Sequence, residues 1–175
     1  MNSNYICLFL ILILIFMLYR KNKNVEKLSS LSSPSTPQTV IFQRYVRYDP
    51  YQFPYPVEEC FLGIHYDGSL IRARGNENWE SKKFELVPAD MGHYYIKSVG
   101  LGSYLYLNED NIPSTQTPEK LTERYKWEIT VDQIGNTIIW NPSSKRFLCL
   151  SYKDDVAYSR VDYHNDCLFK TLIVQ

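Results

Sequence analysis

Proton transfer near neutral pH is work suited to histidine, and this chain of 175 residues has three: His65, His93 and His164. They are scattered. His65 and Asp67 share one turn and could act as a base and its orienting carboxylate, but there they read as two surface residues. No Gly-x-Ser-x-Gly, His-Glu-x-x-His or phosphate-binding glycine loop occurs in the sequence. The acidic pairs Glu109-Asp110 and Asp154-Asp155 could offer oxygens to calcium, and read better as solvated turns. The four cysteines, Cys7, Cys60, Cys149 and Cys167, lack zinc spacing. The residues therefore point away from an enzyme and imply no cofactor and no metal. What remains is binding chemistry, and it depends on the elements that carry it.

Those elements repeat. Phe61-Leu62-Gly63-Ile64, Tyr104-Leu105-Tyr106-Leu107 and Phe147-Leu148-Cys149-Leu150 start 43 residues apart. A second set starts at Phe84, Trp127 and Phe169, spaced 43 and 42. Gly92 and Gly135 each follow the second-set aromatic by eight residues and precede a β-rich run. Period-two alternation within the runs is that of half-buried strands. Asp67-Gly68, Gly100-Leu101-Gly102 and Asn141-Pro142-Ser143-Ser144 supply turns. Beyond residue 40 the longest helix candidate is Thr117–Tyr125, expected as a single turn in a long loop.

Three copies of such a unit resemble a β-trefoil, an all-β barrel of six strands with three hairpins, over residues 40–175. The alternative is a generic antiparallel barrel or sandwich. Closure requires a first strand from the start of the domain, and Val40–Tyr45 is the candidate. Asp49–Val57, with three prolines, reads as an inserted loop. Trefoils host sugar binders, inhibitors and actin bundlers, so the fold alone assigns nothing. Ricin-like sugar sites carry Gln-x-Trp; the matching positions here are Tyr125-Lys126-Trp127, without the Gln. Trp79, Trp127 and Trp140 do not recur at one repeat position; Trp127 reads as core, and the other two are unassigned. Tyr45, Tyr48, Tyr51, Phe53 and Tyr55, set among Pro50, Pro54 and Pro56, form a candidate partner-binding segment, because stiffened aromatics lose little entropy on contact. The same aromatics could instead close the barrel's open end. In a closed barrel the first and last strands are neighbours, so a Cys60–Cys167 disulfide is one reading and buried thiols the other.

The N-terminus is different. Ile6–Leu18 is apolar without a break and bracketed by Tyr5 and Tyr19. It has no polar stripe, so it reads as a transmembrane anchor (residues 1–19), its contact with the lipid bilayer running over 5–19. At 1.5 Å per residue it spans about 22 Å, short against about 30 Å of hydrocarbon and better matched to a thin internal membrane. The competing reading is a cleaved signal peptide, against which stand the missing basic n-region and the lack of a small-x-small site directly after the span; the later stretch Ser29–Ser35 could hold a weak one. Arg20, Lys21 and Lys23 follow at once; by the positive-inside rule they hold the domain on the cytoplasmic or nucleoplasmic face. No Asn-x-Ser/Thr acceptor is present, which agrees. Residues 20–39, basic and then rich in Ser, Thr and Pro, read as a flexible linker.

An apolar span followed directly by Arg20, Lys21 and Lys23 resembles the sorting signal of baculovirus occlusion-derived virion envelope proteins, and size and anchor are similar to the 19-kDa per os infectivity factors. The resemblance implies residence in the virion envelope, passage through the host inner nuclear membrane, and other envelope membrane proteins as partners in an entry complex. It carries no catalytic motif. The expected function is structural docking within that complex; the alternative is a membrane-tethered, glycan-binding lectin. The net charge of zero divides into +3 over residues 1–40 and −3 over the rest, so the folded part is acidic and no nucleic-acid partner is expected.

Overall fold

Short runs of β-branched and aromatic residues that alternate with polar ones form strands, and strands with one greasy face must bury it. The computed structural model describes residues 36–44, 59–74, 79–151 and 156–174, with backbone only at 71–74 and 79. Within the compact unit Ser35–Gln175 the chain is all-β. Six strands are β1 (Gln38–Arg44), β4 (Lys83–Pro88), β5 (Tyr94–Ser98), β8 (Lys126–Val131), β9 (Thr137–Asn141) and β12 (Leu168–Ile173). They pair antiparallel in the ring β1–β4–β5–β8–β9–β12 and back to β1. This is a closed barrel, which leaves these strands no open edge. The other six form three hairpins: β2 (Cys60–Ile64) with β3 (Leu70–Arg74), β6 (Tyr104–Leu107) with β7 (Pro113–Gln116), and β10 (Arg146–Leu150) with β11 (Ala157–Arg160). The helical elements among the described residues are short 3-10 turns, and no helix there is long and apolar enough to cross a membrane. The apolar run 5–19, the basic residues Arg20, Lys21 and Lys23, and Tyr45, Tyr48, Tyr51, Phe53 and Tyr55 lie outside the described residues.

The sequence repeat is a packing repeat. Phe84, Trp127 and Phe169 occupy equivalent places on β4, β8 and β12, and all are fully buried. So are Phe42, Ile96 and Ile139 on β1, β5 and β9, and Leu62, Leu105 and Leu148 on the hairpins. Phe42 packs its ring 5.7 Å from Phe84 and 6.2 Å from Phe169, so the first-strand residue joins core from both ends of the chain. Gly92 and Gly135 sit at equivalent places in the β4–β5 and β8–β9 turns, with φ of 77° and 90°. A side chain there would be strained, which is why the repeat keeps glycine.

A 3-10 turn enters β4, β8 and β12 in turn: Trp79–Lys82, Glu123–Tyr125 and Asn165–Cys167. One residue of each turn is buried against its own hairpin, and the three repeats fill that place with different chemistry. In the third it is a disulfide, Cys149–Cys167. In the second, Tyr106 and Tyr125 stack with centroids 5.2 Å apart. In the first, Lys82 is fully buried with Nζ 5.2 Å over the Phe61 ring. The expected Cys60–Cys167 pairing is thus replaced by one within the third repeat. The last strand neighbours β1, whereas buried Cys60 lies on β2, which pairs with β1 at Gln43–Phe61. The turn that carries Cys167 is also tied to the first strand: Arg44 and Tyr158 both donate to the Asp166 carboxylate.

Lys126, at the start of β8, ties together the turns on either side of it. Its ammonium lies 2.7 Å from Asp90 and 2.6 Å from Glu123. The hydrogen bond from Lys126 holds the Asp90 carboxyl below its ordinary value of 3.8, and the same two partners raise Lys126. A depressed carboxylate stabilises the fold fully above its ordinary value, and that contribution is lost as pH falls through the depressed one. The raised lysine contributes below its ordinary value of 10.5 and loses this as pH climbs past it. Thermal melts of Asp90→Asn should therefore lie below wild type at neutral pH and converge on it in acid. A pH-independent gap between the two would contradict the pairing.

Candidate functional site

Counting the paired barrel strands β12–β1, β4–β5 and β8–β9 as the outer faces of the first, second and third repeats, the third is where two barrel strands and one hairpin meet. On β8, alternation turns Trp127 inward and sends Glu128 and Thr130 to the pocket side; on β9 it buries Ile139 and exposes Ile138 and Trp140 in part. Glu128 pairs across the strands with Trp140, and Thr130 with Ile138. Phe147 enters from β10, opposite Trp140. Tyr163 arrives from the segment after β11, its ring edge-on to Phe147 with centroids 5.8 Å apart. Arg160 bridges to Asp162 at 2.8 Å and steadies that segment. Together Glu128, Thr130, Ile138, Trp140, Phe147 and Tyr163 line an open pocket of about 450 Å³. Burial and the charge of Asp132 push the Tyr163 phenol up, so it stays a neutral donor at physiological pH.

The other repeats show what this face looks like when it is filled from within. Glu85 and Lys97 occupy the register of Glu128 and Trp140, and they form an ion pair at 3.4 Å. Above them Tyr95 and Tyr104 meet edge-on at 6.4 Å, in the places of Ile138 and Phe147. In the first repeat the register pairs Lys170 with Gln43. The third repeat keeps the glutamate, replaces the lysine by an indole, and adds a tyrosine. Among the described residues Glu128 has no ion-pair partner. The arrangement offers aromatic faces, one carboxylate and two hydroxyls, which is equipment for holding a ligand.

A comparison with family models finds no match, and none of the curated proteins matches. A solved structure does. It is a GlcNAcα1-4Gal-releasing endo-β-galactosidase from Clostridium perfringens, 13% identical, with a TM-score of 0.63. The similarity covers 79% of this chain but 32% of that one, so this chain spans about a third of the enzyme's length. At that identity the likeness is one of fold.

The residues singled out in the sequence fall as follows. Trp127 is core: its indole N–H donates to the Leu105 carbonyl at 3.1 Å, in full burial. Trp140 lines the pocket, while the side chain of Trp79 lies outside the described set. Asp67 accepts from the Ser69 amide and hydroxyl at 2.8 and 2.6 Å, which hold its carboxyl below the ordinary range. His65 lies 3.3 Å from it, with its ring against Tyr66, so this pair closes a turn. Among the described residues no three His, Cys, Asp or Glu gather as a metal site would need. Sequence reasoning missed the joint role of Glu128, Ile138, Phe147 and Tyr163. The signal was there: aligning the repeats puts Trp140 where Lys97 stands.

Proposed function

We propose that the chain is a β-trefoil binding subunit of a viral envelope entry complex, anchored through residues 5–19, and that it acts by docking other envelope proteins rather than by catalysis. The observation that carries the binding role is the aromatic pocket around Trp140, where the internal Glu–Lys pair of the second repeat is missing its lysine. Support for the envelope setting comes from the apolar run, the basic cluster Arg20, Lys21 and Lys23, and the Ser/Thr/Pro linker. The Cys149–Cys167 disulfide favours a domain on an oxidising exterior face, as on a mature virion, over one held in the reducing cytosol as the positive-inside rule expects. The test is purification of the full-length chain from virions in mild detergent. Other membrane proteins in fixed ratio are expected; recovery as a lone monomer would overturn the reading.

A second reading, a membrane-tethered glycan binder, is favoured by one observation. An indole face beside a carboxylate and a threonine hydroxyl also suits a pyranose, whose C–H face stacks while its hydroxyls donate to the carboxylate. The similar fold of a sugar-cleaving enzyme is compatible with it. Saturable binding on a glycan array, abolished by Trp140→Ala, would establish this reading; a blank array would remove it.

A further inference from the structure

The second and third repeats put the same cross-strand pair to different use, and the difference specifies a ligand. In the second repeat the partner of Glu85 is the ammonium of Lys97, 3.4 Å away, with Tyr95 and Tyr104 alongside. In the third, Glu128 keeps the glutamate's place and the lysine's place is taken by Trp140. Phe147 and Tyr163 add two more rings to the same pocket. A carboxylate beside an indole attracts a cation twice over, by charge and by the ring quadrupole. We infer that the pocket of Glu128, Trp140, Phe147 and Tyr163 receives a lysine or arginine side chain from a partner protein, supplying from outside the cation that Lys97 supplies within the chain. This deepens the docking function proposed above and rests on it: it names the chemistry of the partner surface, a basic side chain that projects far enough to cross an open pocket of about 450 Å³. Nearby charge agrees. Asp132 lies close enough to Tyr163 to shift its phenol; Lys126, two residues before Glu128 on β8, is engaged by Asp90 and Glu123, and Arg160, across from Phe147, by Asp162.

The test uses the full-length chain in detergent micelles with ¹⁵N-labelled tryptophan, so that three indole signals are read at once. Trp140→Phe identifies the Trp140 signal. The probes are acetyl-lysine methylamide and its uncharged analogue acetyl-norleucine methylamide. The lysine probe should shift the Trp140 signal saturably and bind about tenfold tighter than norleucine, the combined scale of an exposed cation–π contact and an exposed ion pair. Glu128→Gln should remove most of that preference. Trp140→Lys, which copies the second repeat on a surface position, should abolish binding while the melting temperature holds. Equal shifts from the two probes would overturn the inference and leave an apolar hole. An unchanged preference in Glu128→Gln would also overturn it, as would a shift with lactose when the lysine probe is inert. If the lysine probe is inert and Trp140→Lys still costs the chain its envelope partners, docking stands and the cation chemistry falls.

Discussion

Trp127→Ala should lower the stability of the domain by about 3–5 kcal/mol, the largest loss from any single truncation proposed here. Two effects add. The indole is fully buried in the barrel core, and its removal leaves a cavity among side chains that can only partly collapse. It also strips the Leu105 carbonyl of its 3.1 Å donor in a place water does not reach, which is the expensive way to lose a hydrogen bond. Domains of this size hold only about 5–15 kcal/mol in total, so the variant should melt roughly 10–20 °C lower or fail to accumulate. Trp140→Ala is the control. It removes the same side chain from the outer surface and should change stability by about 1 kcal/mol or less. Parallel thermal melts decide the matter: similar losses for the two variants would contradict the inward and outward assignment of β8 and β9.

The second large effect belongs to the disulfide. Cys149 and Cys167 are 18 residues apart, and opening a loop of that length costs about 3 kcal/mol on the chain-entropy account. Cys167→Ala, or reduction of the native protein, should therefore lower the melting temperature by about 10 °C. Non-reducing peptide mapping should recover the 149–167 link, with Cys60 in a separate peptide that takes up alkylating reagent only after denaturation, as its burial requires. A Cys60–Cys167 peptide would contradict both the register of β2 and the repeat equivalence with Tyr106 and Tyr125.

That equivalence shows what could be read from the residues and what could not. The 43-residue spacing exposed the barrel because core positions repeat in type: Phe84, Trp127 and Phe169 stay aromatic, and Leu62, Leu105 and Leu148 stay leucine. Burial constrains volume, so volume survives in the sequence. Gly92 and Gly135 survive for a different reason, a backbone shape that only glycine adopts without strain. The disulfide was harder, because Cys149 and Cys167 share a place with a tyrosine pair and with a glycine and a lysine, and no residue type repeats there. That β1 and β12 are neighbours was legible, but Cys60 sits on the adjoining β2 rather than on either of them. The pocket was least legible. Its residues come from β8, β9, β10 and the segment beyond β11, and its meaning lies in a departure from the repeat, the indole at the place of Lys97. A departure becomes visible only once the register of each cross-strand pair is known.

The central claim is that this departure makes the outer face of the third repeat the binding surface of the protein. Its most direct test compares the envelope proteins recovered with full-length wild type and with full-length Trp140→Lys, each purified from virions in mild detergent and quantified by mass spectrometry. Wild type should bring a fixed set of membrane proteins, and Trp140→Lys, equally stable and equally abundant, should lose most of them. The same set in the same amounts with both proteins would contradict the claim.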